Sequence, residues 1–298
     1  MSVFCSFLRT RFVMGVVAAL LPTEVYAGQP ESALFRNDFE HRDPGGYGAE
    51  MLAADWGDPP WSNGIGEGRT SIVRTEDGGK ALEVFYPKGG VGPGGETGGG
   101  AQWKMPLDRS YDELYLQYRL WFAPGFDFAW GGKLPGLAGG QANTGGNKPD
   151  GTDGWSARIM WNSDGIGGTV RDRRHAQLSQ YVYHAGQPGR YAESLRYDDL
   201  PTGRWPVIES GRWYTVTTRV RMNTPGEADG VVQSWLDDEL VLDARALRFR
   251  AVPDFAIDQL LFSTFFGGAT PEWAPTRDER VRFDDFLIGT TRPPLPSR

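Results

Sequence analysis

The stretch Leu114-Tyr115-Leu116-Gln117-Tyr118-Arg119-Leu120-Trp121-Phe122 decides the fold class. Leu114, Leu116, Tyr118, Leu120 and Phe122 fall on one side of an extended chain, and Tyr115, Gln117, Arg119 and Trp121 on the other, because successive side chains of a strand alternate faces. A helix would scatter both sets around its circumference. The same period of two recurs at 69–75, 81–86, 155–161, 178–184, 213–222, 231–236, 259–266 and 281–288. Turn clusters such as Glu76-Asp77-Gly78-Gly79 and Asn223-Thr224-Pro225-Gly226 separate the runs. Many short strands punctuated by Gly and Pro predict an all-β chain, a single-domain β-jelly-roll sandwich of two antiparallel sheets. Only Leu242 to Arg248 reads as a helical turn.

Composition agrees with that reading. The 298 residues include 41 Gly and 21 Pro, which disfavour helices, while 11 Trp, 11 Tyr and 16 Phe exclude disorder and collagen-like structure. The low-complexity segments 89–100 and 138–154 are expected to be long surface loops. Gly90, Gly92 and Gly95 fit a G-x-G-x-x-G pattern by chance, since a strand and not a phosphate-facing helix follows.

Arg9 and Arg11 precede the apolar run Phe12 to Leu21, and Val25-Tyr26-Ala27 supplies small residues where a signal peptidase reads. Residues 1–27 are therefore read as a secretory signal peptide, with 28–298 as the mature β-domain, exported to the periplasm or secreted. The apolar run is about half the ~20 residues of a membrane span, so no span is expected in the mature chain. Cys5 is the single cysteine and leaves with the signal, which excludes disulfides and thiolate metal sites. The net charge of -7 argues against sequence-independent nucleic-acid binding, and an anionic ligand needs a local basic pocket. A monomer is expected.

No H-E-x-x-H, G-x-S-x-G or P-loop is present, and the paired-carboxylate spacings E-x-D-x-E and E-x-D-x-x-E do not occur. His41, His175 and His184 are too scattered for zinc. The informative stretch is the middle third, where polar residues recur at a spacing of two inside apolar strands. Ser156 and Arg158 share one face of Trp155 to Trp161, and Tyr181 and Tyr183 share one face of Gln180 to His184. Lys133 lies between glycines in Gly131-Gly132-Lys133-Leu134-Pro135-Gly136, where a ligand can approach the backbone closely. Two cations, a hydroxyl and two phenols with no acid among them suit an anionic carbohydrate better than a neutral one.

At these residues the sequence resembles the alginate and polyglucuronate lyases of polysaccharide lyase family 14. The resemblance rests on Phe126-Asp127-Phe128 leading into Gly131 to Leu137, then Trp155-Ser156-Ala157-Arg158, Tyr181-Val182-Tyr183-His184 and Phe262-Ser263-Thr264-Phe265-Phe266-Gly267-Gly268, in that order, and covers roughly residues 114–288. It implies a jelly roll holding a polyuronate in its cleft and cleaving it by β-elimination without a required cofactor. Lys133, Arg158, Tyr181 and Tyr183 match catalytic positions, and Ser156 and His184 are expected to bind substrate. Arg158 suits a bidentate grip on the uronate carboxylate, with Lys133 as a point charge beside it. The tyrosines supply a base and an acid if nearby cations favour the phenolate, with activity rising into the alkaline range; a deprotonated Lys133 is the competing base. A non-catalytic carbohydrate-binding module and a glycoside hydrolase remain rival readings of the same sandwich. The loop 138–154 is expected to border the cleft, and most of Trp121, Trp130, Trp155, Trp161 and Phe266 to pack in the core. Asp284 and Asp285, with Asn37 and Asp38, are a possible structural calcium site joining the two ends of the domain.

Overall fold

Alternation on β7 (Glu113–Phe122) holds as read, with Leu114, Leu116, Tyr118, Leu120 and Phe122 turned into the core. The computed structural model describes residues 33–94, 98–163, 173–198, 205–268 and 270–297, together with Met1, Leu200 and Gly203. The expected signal peptide lies outside these residues apart from Met1.

Two antiparallel sheets face one another. In spatial order the first holds β15 (Glu239–Leu247), β14 (Gly230–Leu236), β13 (Trp213–Arg221), β7, β17 (Glu279–Gly289), β5 (Lys80–Tyr86), β4 (Thr70–Arg74) and β2 (Gly45–Gly46), with β1 (Ala33–Asn37) also on β17. The second holds β11 (Glu193–Arg196), β10 (Ala176–Tyr183), β9 (Gly154–Asn162), β8 (Gly131–Gly140), β16 (Ile257–Phe266), β6 (Ala101–Tyr111) and β3 (Ser62–Asn63), with β12 (Val207–Ile208) beside β10. Hairpin-like neighbours alternate with long crossovers that pair β13 with β7, β7 with β17, β17 with β5 and β1, and β16 with β8 and β6, the mark of a jelly roll. Among the described residues, no helix is long and apolar enough to cross a membrane.

The core between the sheets is aromatic. Trp103 and Phe262 stack at 3.8 Å, and Trp56 packs edge-on against Trp103, Phe262 and Phe286. Trp56 closes a helix, α1 (Ala49–Trp56), which the strand periodicity did not predict. A polar clasp also joins the layers. Gln180, on the core face of β10, donates to Thr218 Oγ1 at 2.6 Å, Ser234 Oγ at 3.1 Å and Tyr197 Oη at 3.2 Å. The Nε2 side of the amide thus fixes β10 against the facing sheet, while its buried Oε1 has no partner among the described residues.

Three expectations are corrected. Residues 242–248 are not helical; 242–247 belong to edge strand β15 and Arg248 follows it, and Val241 is an extra residue opposite the Ser234–Trp235 step. The bulge turns Val241 and Leu242 inward together and so mimics helical spacing. The glycine-rich stretch opening the expected loop 138–154 instead ends β8, so the loop begins at Gln141. The acidic residues proposed for calcium face a guanidinium: Arg119 Nη1 lies 3.7 Å from Asp284 and 3.8 Å from Asp285. Asn37 and Asp38 accept hydrogen bonds from the backbone N–H groups of Phe39 and Glu40. Among the described residues, no group of three or more His, Cys, Asp or Glu is placed to hold a metal.

Candidate active site

The outer face of the second sheet carries a cleft of about 840 Å³, running from Gln102 on β6 across β16, β8, β9 and β10 to Arg196 on β11. Lys133, Arg158, Tyr181 and Tyr183 all line it. Strand alternation brings three of the four to this face. Trp155, Ala157, Ile159 and Trp161 of β9 enter the core, which leaves Arg158, Met160 and Asn162 facing out. On β10, Leu178, Gln180 and Val182 point inward while Gln177, Tyr181 and Tyr183 reach the cleft. Tyr181 stands opposite Arg158, and Tyr183 opposite Ser156.

Lys133 arrives by a different route. Gly136 pairs with Arg158, and unbroken alternation from that point would place Lys133 opposite Trp161, on the core side. Pro135 is an extra residue here: Leu134 pairs with Ile159 and Lys133 with Met160. This bulge turns the lysine into the cleft. Proline suits the position because it has no N–H to leave unpaired, and its carbonyl accepts a hydrogen bond from Tyr118 Oη of the facing sheet at 3.2 Å. Glycines around the bulge let neighbours close in; a Cβ on Gly132 would sit 2.1 Å from the Trp161 ring. The chain entering β8 is anchored by Asp127, which accepts two hydrogen bonds of 2.7 Å from Arg173.

The four side chains form one cluster. Lys133 Nζ lies 4.2 Å from the centre of the Tyr181 ring and donates to Met160 Sδ at 3.0 Å. Arg158 Cζ lies 6.0 Å from that ring centre, and the two tyrosine rings meet edge-on at 5.8 Å. Arg158 Nη1 donates to Ser263 Oγ at 3.1 Å, while its buried Nε has no acceptor among the described residues. Tyr183 Oη accepts from the Gly146 N–H at 2.7 Å, which draws the loop after β8 over the site. Thr144 and Gly145 of that loop line the cleft.

Burial sets the charge states. Lys133, 7% exposed, is held well below the ordinary lysine value, first by desolvation and then by the Arg158 charge. Desolvation also lowers Arg158, to about 10, which leaves it cationic at neutral pH. Tyr181 is pushed up, chiefly by burial and then by Tyr183, against the opposing pull of Arg158. The sequence-based expectation that the cations would favour the phenolate is therefore not met at Tyr181, where desolvation outweighs the guanidinium.

Ser156 and His184 do not line the cleft. Ser156 is fully buried and donates to the Asn143 carbonyl at 2.6 Å, holding the base of the loop. His184 Nε2 lies 2.8 Å from Glu193 Oε2 and ties the end of β10 to β11. The expected direct contact of these two with substrate gives way to support of the walls. Trp155 and Trp161 are core residues, as expected, whereas the cleft tryptophans are Trp205 and Trp273, which sequence reasoning passed over. Met160, Asn162 and Gln177 were also missed, although they continue the spacing-of-two faces of Arg158 and Tyr181.

The described lining residues include Lys133, Arg158 and Arg196 but no Asp or Glu. An acidic protein has thus kept its acids out of one cleft, the local basic pocket that an anionic ligand requires.

The family profile described as Polysaccharide lyase 14 matches residues 74–286. No curated protein matches the chain by sequence. Among solved structures, the alginate lyase Aly36B is 25% identical with a TM-score of 0.71, covering 88% of this chain and 98% of that one. A doubly substituted form of Aly36B in complex with alginate tetrasaccharide gives 25% identity, a TM-score of 0.72 and the same coverage. The marine PL-14 alginate lyase from Aplysia kurodai shares the fold at 23% identity and TM-score 0.69, covering 87% of this chain and 100% of that one. The endo-beta-1,4-glucuronan lyase from the fungus Trichoderma reesei shares it at 14% identity and TM-score 0.51, with 87% and 96% covered. Since the family match spans every strand that lines the cleft, from β6 to β16, the chain belongs to polysaccharide lyase family 14.

Proposed function

We propose that this polysaccharide lyase cleaves a 4-linked polyuronate, alginate or glucuronan, by β-elimination, and that it acts outside the cytoplasm after export by residues 1–27. The observation that carries the substrate class is the cleft lining, with cations and phenols present and no carboxylate among the described residues. A glycoside hydrolase of the usual kind needs two carboxyl groups flanking the bond, and the described lining residues supply neither. The alginate oligosaccharide bound by Aly36B supports a polyuronate as the ligand. Export rests on the basic, apolar and small-residue order of the amino-terminal segment.

In this reaction a base removes the C5 proton, the electron pair forms the C4–C5 double bond, and the C4–oxygen bond breaks with protonation of the leaving oxygen. No water is consumed. The C5 proton is barely acidic beside an ionised carboxylate, so that charge must be neutralised. Arg158 does this: Ser263 fixes one terminal nitrogen of the guanidinium, and its remaining donors serve the carboxylate. Lys133 is the base. Its pKa, lowered well below the ordinary lysine value by burial and then by Arg158, raises the share of neutral amine, which lies in contact with Tyr181 and beside Arg158. Tyr181 retains its proton for the same reason that Lys133 loses one, and the tyrosine pair protonates the departing oxygen.

The test is incubation with defined polyuronates while following the absorbance of the conjugated unsaturated uronate. A rising signal is expected. Reducing ends without absorbance would indicate hydrolysis, and neither signal on any polyuronate would overturn the reading.

A further inference from the structure

The cleft continues past the tyrosines to β11, where Arg196 and Trp205 form its end wall. Arg196 pairs in register with Ser179, and Ser194 with Tyr181, which itself stands opposite Arg158. Arg196 is therefore two strands over from Arg158 and two residues along, roughly 12 Å away at ordinary strand spacing and rise. A single sugar carboxylate does not reach both guanidinium groups.

Arg196 is exposed, and its Cζ lies 3.9 Å from the centre of the Trp205 ring. Among the described residues, no carboxylate pairs with it. Trp205 Nε1 is buried and likewise has no acceptor among the described residues. A guanidinium held over an indole at this range keeps N–H donors for a carboxylate. The elimination uses neither residue.

We propose that Arg196 and Trp205 form a second carboxylate-binding subsite, which takes a different uronate unit of the same chain while Arg158 holds the ring being cleaved. The proposal rests on the polyuronate reading above. Ser194, which lies opposite Tyr181 and two residues before Arg196 on β11, lines the wall and offers a neutral hydroxyl to the intervening sugar. The subsite makes affinity depend on chain length and on charge away from the reacting ring.

The test compares the wild type with Arg196→Gln and Arg196→Lys on polymeric polyuronate and on the shortest oligouronate that is cleaved, at low and high salt. Arg196→Gln is expected to raise KM for polymer roughly threefold to tenfold, as befits one partly solvated charge-assisted contact. KM for the shortest oligomer and kcat on polymer should hold, Arg196→Lys should fall between, and the salt dependence of KM should flatten in Arg196→Gln. If the wild type cleaves polyuronate and the Arg196→Gln KM is unchanged at every length, the subsite is overturned and the polyuronate reading stands. A lowered melting temperature with unchanged KM overturns it too, by reducing the pair to a clasp on β11. Failure of the wild type to cleave any polyuronate overturns the underlying reading instead.

Discussion

Replacing Lys133 by Met separates what the cleft costs in stability from what it provides in catalysis. Lys133 is nearly buried, and its ammonium is disfavoured first by desolvation and then by Arg158. Its folded pKa therefore lies below the unfolded value of about 10.4. Between those two values the unfolded chain binds a proton that the folded chain does not, so stability rises with pH across this window and levels off above about 10.4. Each unit of depression destabilises the fold by about 1.4 kcal/mol below the folded pKa, and at pH 7 the total is bounded at about 4.6 kcal/mol. Methionine is similar in length, carries no charge to desolvate, and gives up a weak contact to Met160 Sδ and the approach of the amine to the Tyr181 ring. Lys133→Met is expected to gain about 1–4 kcal/mol at pH 7, the scale seen when buried charges are replaced by well-packed apolar groups. At roughly 2–4 °C per kcal/mol this raises Tm by about 2–16 °C. The difference from wild type should shrink toward zero near pH 10, while turnover falls by about 10²–10⁴ through loss of the base. Thermal unfolding at several pH values and the absorbance assay read the two effects separately. An unchanged or lowered Tm at pH 7, or a difference that does not narrow with rising pH, would show that Lys133 is charged in the fold, and its role as base would fall with that result.

The acid limb of the pH–rate profile should belong to Lys133, with activity lost as pH falls through its lowered pKa. Because a bound carboxylate favours the ammonium, the kcat limb should lie at higher pH than the kcat/KM limb; coincident limbs would argue against Lys133. Tyr183→Phe removes the acceptor of the Gly146 N–H as well as a phenol, so it should cost about 1 kcal/mol of stability in addition to turnover, whereas Tyr181→Phe keeps the Gly146 contact and should lose turnover alone. Unequal melting temperatures for the two variants check this. Tyr118→Phe frees the Pro135 carbonyl and should lower kcat more than it raises KM, although Tyr118 touches no substrate; unchanged kinetics would detach the bulge from the chemistry. Replacing the loop 141–153 by a short turn removes Thr144 and Gly145 from the cleft wall and should change the product-size distribution, seen by chromatography of a timed digest.

Much of the fold was legible in the sequence because a half-buried strand writes its two faces at alternate positions. Each of the nine periodic runs is a strand, and Arg158, Tyr181 and Tyr183 follow from parity alone once core and cleft are assigned to opposite faces. Strands lacking an alternating apolar face were not legible. In β8 the glycines accept neighbours at close range and so leave no pattern to read; in β15 a bulge wrote a false helical one. The sequence by itself therefore determined a β-sandwich, the chemical inventory of the site and the family it resembles. Tertiary structure alone decided that Lys133 enters the cleft, since only the Pro135 bulge reverses the face it would otherwise occupy. It also decided the charge states, because desolvation depends on what the rest of the chain packs around an amine or a phenol. Arg196 and Trp205 join the same wall for a similar reason: pairing between distant segments, and not local spacing, sets which side chains share a cleft.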